Sequence, residues 1–221
     1  MPTQPNSNSQ PRVPLSRERV LDSAIRVADQ GGIESLTMRK LAQALGVEAM
    51  SLYNHVANKN DILGGIVDLV VGEIELPSAG DWKAAIRTYA ISAHEALLRH
   101  PWVCGLMMSP ATIRPARLRH MDWLLARLRA AGFSAETTYH AYHALDSHIL
   151  GFTLWEVGHS AGAEDPDFGA NFLSELPAGE YPHFFEHIEQ HLAESGPGDE
   201  GEFEFGLDLI LEGLERIRDR V

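Results

Sequence analysis

The sequence predicts an all-α chain in two parts, a small N-terminal three-helix unit and a larger C-terminal helical domain. Three observations predict it. Apolar residues recur at helical spacing along nearly the whole chain, and no alternating strand pattern appears. Two short periodic stretches, 37–45 and 48–56, meet at a single glycine, Gly46. Pro77 and Gly80 then break the chain after a fourth periodic stretch. The expected organisation is a disordered tail over 1–15, a helix-turn-helix domain over 16–62 and a second domain over 63–221.

The tail places Pro2, Pro5, Pro11 and Pro14 among Asn, Ser and Gln, a composition that buries too little to fold. Its Arg12 can reach a minor groove or simply be solvated. Helix one is expected over 16–30, with Val20, Leu21, Ala24, Ile25 and Ala28 inward and Gly31-Gly32 as its stop. Thr37 is a good N-cap for helix two, because its hydroxyl can accept an N–H that the first turn leaves unpaired. Leu36 and Leu41 flank that cap as a hydrophobic staple. Gly46 stands where a left-handed C-cap is needed, a conformation glycine takes without steric cost. Val47 is expected to plug the space between the helices, and Leu52 and Val56 to form the inner stripe of helix three. Ser51, Tyr53, Asn54 and His55 are left facing outward. Asn58 caps helix four, with Asp61 at N3 and Ile62, Leu63, Ile66, Val67 and Val70 as its apolar face, continuing towards Ile74. This is the layout of a helix-turn-helix, whose second helix lies in the DNA major groove. A helical hairpin that only packs would share the apolar part of the pattern.

The C-terminal helices are expected over 82–99, 103–108, 114–131, 135–159, 181–194 and 202–218, with a long loop over 163–180. In the last helix Phe203, Leu207, Ile210, Leu214, Ile217 and Val221 alternate spacings of four and three, the seam of two packed helices. Gly206 and Gly213 lie seven apart beside it. Ala144, Gly151 and Gly158 repeat the device on the helix over 135–159. Each glycine weakens a helix by roughly 1 kcal/mol relative to alanine, and a closely approaching partner helix would compensate. The expectation is a homodimer through the helices near 135–159 and 202–218. The alternative is that both are core helices of one subunit. A two-fold dimer presents two recognition helices to a pseudo-palindromic DNA operator.

Composition sets the class. The 221-residue chain is 44% hydrophobic, enough for a substantial core. Its single cysteine, Cys104, forms no internal disulfide, which suits a cytoplasmic protein. No apolar run has transmembrane length and no signal-peptide core is present, so no membrane partner is expected. The net charge of −13 opposes DNA binding as an average, yet its distribution does not. Residues 1–63 hold seven Lys/Arg against six Asp/Glu, and the remainder 11 against 25. The modest basic excess predicts salt-sensitive DNA affinity.

The run Leu-Thr-x-Arg-Lys-Leu-Ala-Gln-x-Leu-Gly-Val-Glu over 36–48, followed by Leu-Tyr-x-His-Val-x-Asn-Lys over 52–59, resembles the DNA-binding domain of the TetR family of bacterial transcriptional repressors. The likeness is strongest to the tetracycline-repressor branch. It continues at Gly132-Phe133-Ser134, from His148 to Glu156, and through Phe205-Gly206-Leu207-Asp208-Leu209-Ile210 with Gly213-Leu214-Glu215. The resemblance implies DNA contacts from Thr37, Arg39, Lys40, Met50, Ser51, Tyr53, Asn54, His55 and Lys59. Arg39 matches a base-reading arginine, able to pair bidentately with guanine. Ser51 replaces a threonine, Tyr53 and His55 match backbone-contacting residues, and Lys59 matches a phosphate-binding lysine. Ala49, Met50 and Asn54 depart from the family's glutamine, proline and tryptophan, so a different operator is implied.

The resemblance also implies a small-molecule effector. His148 and Glu156 match the family's histidine and glutamate on the eighth helix. Met107 stands where the family's magnesium-binding histidine would be, and a thioether is a poor magnesium ligand. Glu75 and Tyr89 replace two drug-binding residues. The effector is therefore expected to be largely apolar and not tetracycline–magnesium, with no cofactor or metal. Its contacts are expected from Tyr89, Trp102, Met107, His148, Phe152 and Glu156, in a pocket shared with Leu106, Met108, Trp123 and Trp155.

Other readings carry less. His183, His187 and His191 fall at i, i+4 and i+8, where adjacent pairs can clasp zinc or nickel, or be solvated surface. His140 and His143 are expected beside or within the packing of the helix over 135–159, while His94 and His100 show no ligand spacing. A helical dimeric enzyme using His148 and Glu156 as an acid–base pair, or an adaptor, is the alternative to a regulator. No nucleophile motif, phosphate loop or dense carboxylate–histidine cluster supports an enzyme.

Overall fold

The computed structural model describes residues 14–162, 179–194 and 201–220, and every regular element among them is helical. The chain divides into two compact units, Met1–Val67 and Asp68–Val221.

In the first unit, α1 (Arg17–Gly31) starts at Ser16, whose hydroxyl accepts from Arg19 N at 3.2 Å. It buries Val20, Leu21, Ser23, Ala24, Val27 and Ala28. Ile25 is only half-buried, because the helix turns Val27 inward in its place. Gly32, at φ 71°, ends the helix, and an unanticipated 3-10 turn, Ile33–Ser35, leads into α2 (Met38–Leu45). Next come α3 (Ala49–Leu52) and α4 (Lys59–Val71), which is shared between the two units. Leu36, Leu41, Leu52, Ile62 and Ile66 are the largest fully buried side chains of this unit.

The second unit contains α5 (Trp82–Arg99), α6 (Trp102–Met107), a 3-10 turn at Pro110–Thr112, α7 (Pro115–Ala130), α8 (Ala135–Gly162), α9 (Pro182–Glu194) and α10 (Glu202–Arg218). Asp81 caps α5, accepting from Lys83 N at 3.0 Å. Helix α5 packs against α7, α8 and α10. Ile86, Leu97, Leu124, Leu128, Leu145, Leu207 and Leu211 fill the space between these helices without reaching solvent. Lys83–Glu215 (2.8 Å) and Arg87–Asp208 (2.9 Å) pair across α5 and α10 at the surface. No helix among the described residues is long and apolar enough to cross a membrane.

Helix α10 differs from the expected seam. It buries Phe203, Leu207, Leu211 and Leu214 inside its own subunit. Ile210 is half-buried, Ile217 is 47% exposed, and Val221 lies outside the described residues. The glycines of this helix also separate. A Cβ at Gly206 would stand 2.6 Å from His148 Cε1 of α8, so Gly206 serves a contact within the chain. A Cβ at Gly213, Gly151 or Gly158 would meet nothing within 4 Å among the described residues.

His140 and His143 are exposed rather than packed. His183 and His187 are exposed too, and the His191 side chain lies outside the described residues. Among the described residues no three His, Cys, Asp or Glu side chains gather as a metal site. The expected tail and the loop over 163–180 also lie almost wholly outside them.

Candidate nucleic-acid interface and C-terminal polar clusters

Thr37 caps α2, its hydroxyl accepting from Lys40 N at 3.1 Å. Gly46 adopts the left-handed conformation at φ 67° and ψ 35°, and Val47 N donates to Ala42 O at 3.0 Å to close the turn. Val47 itself is half-buried. Helix α3 is shorter than the apolar stripe suggests. After Leu52 the chain tightens, with Tyr53 N to Met50 O at 3.3 Å and His55 N to Leu52 O at 2.9 Å. Tyr53, Asn54 and His55 are weak helix formers, and the tighter turn still buries Val56 beside Leu52.

Asp61 locks the end of this segment. It accepts both Arg17 guanidinium nitrogens at 2.7 and 2.8 Å and Ala57 N at 3.1 Å, while Asn58 Oδ1 accepts from Asp61 N at 2.9 Å. Arg17, one of the seven basic residues of 1–63, is thereby a structural partner, and the Asp61 hydrogen bonds raise its pKa. Gly65 lets α4 approach α1, since a Cβ there would stand 2.8 Å from Leu21 Cδ2.

What remains outside is the predicted contact set. Thr37, Arg39, Lys40, Met50, Tyr53, Asn54 and Lys59 are exposed, and Ser51 and His55 are half-buried. Arg39, Lys40 and Lys59 form no ion pair among the described residues. The helix pair thus has an apolar inner face and an outer face of uncompensated cations and hydrogen-bonding side chains.

In the second unit the six predicted effector residues fall into separate groups. His148, Phe152 and Glu156 of α8 meet His94 of α5 and Phe203 of α10. His94 stacks on Phe203 at 4.0 Å between centroids and 6° between planes, and His148 stacks on Phe203 at 4.8 Å. His148 Nε2 donates to Phe203 O at 2.9 Å. Thr153 donates its hydroxyl proton to Ile149 O at 2.7 Å, so its oxygen accepts from His94 Nδ1–H at 2.9 Å. His94 Nε2 then faces Glu156 Oε2 at 3.1 Å, a contact that is attractive only with a proton between them. Burial lowers the His94 pKa, and Glu156 acts against that shift.

Tyr89 belongs to a second group. Its ring lies 5.9 Å from His120 and 5.1 Å from Trp123. Trp123 is pinned by donation to Pro77 O at 3.3 Å and by the Arg127 guanidinium 5.4 Å from its ring. Arg117 on α7 and Tyr142 and Asp146 on α8 complete it. Burial pushes up the pKa values of Tyr89, Tyr142 and Asp146 and lowers that of His120. Trp102 is buried beside His100 (6.1 Å), Met107 is half-buried, and Met108 and Trp155 are exposed.

The residues missed in the sequence are His94, Thr153 and Phe203 in one group and Arg117, His120, Tyr142 and Asp146 in the other. His94 and Thr153 are 59 positions apart, so local spacing carries no trace of them. The pair Arg117 and His120, at i and i+3, was legible as one helix face.

Two family models match the chain. "Bacterial regulatory proteins, tetR family" covers residues 20–66, and "Tetracyclin repressor-like, C-terminal domain" covers residues 76–218. The chain is 30% identical to the HTH-type transcriptional repressor DrrR1 of Streptomyces coeruleorubidus, over 93% of this chain and 79% of that one. It is 31% identical to the tetracycline repressor protein class D of Escherichia coli, over 91% and 89% of the two chains. Apo ActR from Streptomyces coelicolor superposes with a TM-score of 0.75 at 27% identity, covering 94% and 98% of the chains. ActR in complex with actinorhodin superposes with a TM-score of 0.74 at 25% identity, covering 93% and 99%.

Proposed function

Because this chain belongs to the TetR family of bacterial regulators, a family of transcriptional regulators and not of enzymes, we propose that it is a homodimeric, ligand-responsive repressor of a pseudo-palindromic operator. The observation that carries the reading is the outer face of α2 and α3. In a chain of net charge −13, Arg39, Lys40 and Lys59 stand exposed, with no ion pair among the described residues, beside exposed Tyr53 and Asn54. Arg39 reads a base edge. Tyr53, His55 and Lys59 hold phosphates and fix the register, which carries no sequence information by itself.

Dimerisation through α8 and α10 is supported by their exposed apolar side chains. Leu154 and Trp155 project from α8, and Phe205, Leu209 and Ile217 from α10. Open space at Gly151, Gly158 and Gly213 would let a partner helix approach closely. The effector site is assigned to the second unit, where the buried polar and aromatic groups gather; that the related ActR forms a complex with actinorhodin supports ligand binding as such. Helix α4, shared by both units, would transmit its occupancy to α2 and α3. By linkage, effector and operator weaken each other's binding by one factor, typically about 1–3 kcal/mol of coupling.

The test is fluorescence anisotropy with DNA from upstream of the chain's own coding sequence against a scrambled competitor, at physiological salt. Selective binding with one dimer per site supports the reading. Binding no tighter than to scrambled DNA, and lost with added salt, would count against it.

A further inference from the structure

We propose that Arg117, His120, Tyr89, Tyr142 and Asp146 read the effector, and that they take a planar, uncharged aromatic molecule carrying a carbonyl acceptor and a hydroxyl donor. This rests on the ligand-responsive reading above and gives its site a chemistry.

Buried polar atoms in folded proteins almost always have a partner. Arg117 Nη1 and His120 Nδ1 are buried on one face of α7 with none among the described residues, and His120 as a residue is only 5% exposed. Asp146 interacts electrostatically with Arg117, yet the two form neither a hydrogen bond nor an ion pair. Opposite charges on α7 and α8 that influence each other without pairing each keep hydrogen-bonding capacity for another partner. Tyr142 interacts with both Arg117 and Asp146, and Tyr89 with both Tyr142 and Asp146. Neither tyrosine hydroxyl has a hydrogen-bond partner among the described residues. Five side chains from α5, α7 and α8 therefore converge without hydrogen bonds to one another among the described residues, and two of them, Arg117 and His120, bury a donor or acceptor that has no partner there.

Their chemistry selects the ligand. A guanidinium only donates, so Arg117 requires an acceptor oxygen, whereas the Asp146 carboxylate requires a donor. One cation near one half-buried carboxylate leaves little net charge for an ionic ligand to neutralise. The tilted rings of Tyr89, His120 and Trp123, at 34° and 37°, offer aromatic surface to a flat molecule. His148, in the other group, already donates to Phe203 O and is not needed.

The experiment is calorimetric titration of the full-length protein with 7-hydroxycoumarin, 7-methoxycoumarin and 2-naphthol. The first carries both groups, the second lacks the donor and the third lacks the carbonyl. We expect 7-hydroxycoumarin to bind at least about 10-fold more tightly than either analogue. Arg117→Met should erase the preference over 2-naphthol, Asp146→Leu should erase the preference over 7-methoxycoumarin, and His148→Gln should keep both. Tyr142→Phe, which removes one oxygen, serves if a charge variant fails to fold, and should weaken 7-hydroxycoumarin several-fold. Equal binding of all three molecules, no binding of any, or wild-type affinity in folded variants would overturn the assignment. Operator binding by the unliganded protein is measured alongside. Operator binding retained with no preference for 7-hydroxycoumarin rejects this site alone, whereas loss of selective operator binding rejects the repressor reading itself.

Discussion

Replacing Gly206 with alanine separates two explanations of a glycine in the middle of α10. An alanine in an unobstructed helix interior gains about 1 kcal/mol over glycine. At Gly206 the new methyl would stand 2.6 Å from His148 Cε1. At that distance the ring must move, and moving it is costly because a 2.9 Å hydrogen bond to Phe203 O and stacking on Phe203 hold it. Expelling it forfeits about 1 kcal/mol of hydrogen bond and about 1 kcal/mol of ring contact. The balance is a net destabilisation of about 1 kcal/mol, or about 2–4 °C in Tm for a chain of this size. Thermal unfolding at one fixed protein concentration measures it, since dimerisation makes Tm concentration-dependent. In a His148→Ala background the obstruction is gone, and Gly206→Ala should then stabilise by about 1 kcal/mol. If Gly206→Ala raises Tm in the otherwise native chain, the close contact is not what keeps glycine there. Gly213→Ala is the matched control. Its methyl meets nothing within 4 Å among the described residues, so a monomer would gain about 1 kcal/mol, whereas a partner helix packed there would be pushed away and the dimer weakened.

Three further outcomes are expected. Tyr53→Ala should weaken binding to specific and random DNA alike, whereas Arg39→Ala should lose about 1–3 kcal/mol on the operator only; competition anisotropy distinguishes them, and equal losses for both would refute the assigned roles. Asp61→Ala should cost about 1 kcal/mol by leaving Ala57 N–H unpaired, with little from the exposed Arg17 pair, read by denaturant unfolding. Stability should fall on acidification: burial lowers the His94 and His120 pKa values, so the unfolded chain takes up protons first below about pH 6.5, and the loss grows as pH falls towards the folded values. His120→Gln should flatten part of that fall in Tm, while Asp146, whose pKa burial raises, contributes with the opposite sign.

The local devices were legible because short-range chemistry dictates them. Thr37, Gly46 and Asn58 cap or turn the chain where their side chains or missing Cβ require it, and each does so in the structure. The helices fall close to the predicted spans for the same reason. Leu52 and Val56 are buried, leaving Tyr53 and Asn54 outside, because their spacing permits no other division of that segment. The tertiary structure decided whatever depends on residues far apart in the chain. Phe203, Leu207 and Leu214 have the spacing of a dimer seam, but an apolar stripe does not name its partner, and α10 packs these three within the subunit. Gly206 had the look of a dimer contact until His148 of α8 was found against it. His94, unremarkable by spacing, became a stacked and hydrogen-bonded centre only when α5, α8 and α10 came together. Arg117 and Asp146 acquired their meaning the same way. A helix face is set by neighbours three and four residues away, whereas the pairing of faces is set by the whole chain's competition for buried area.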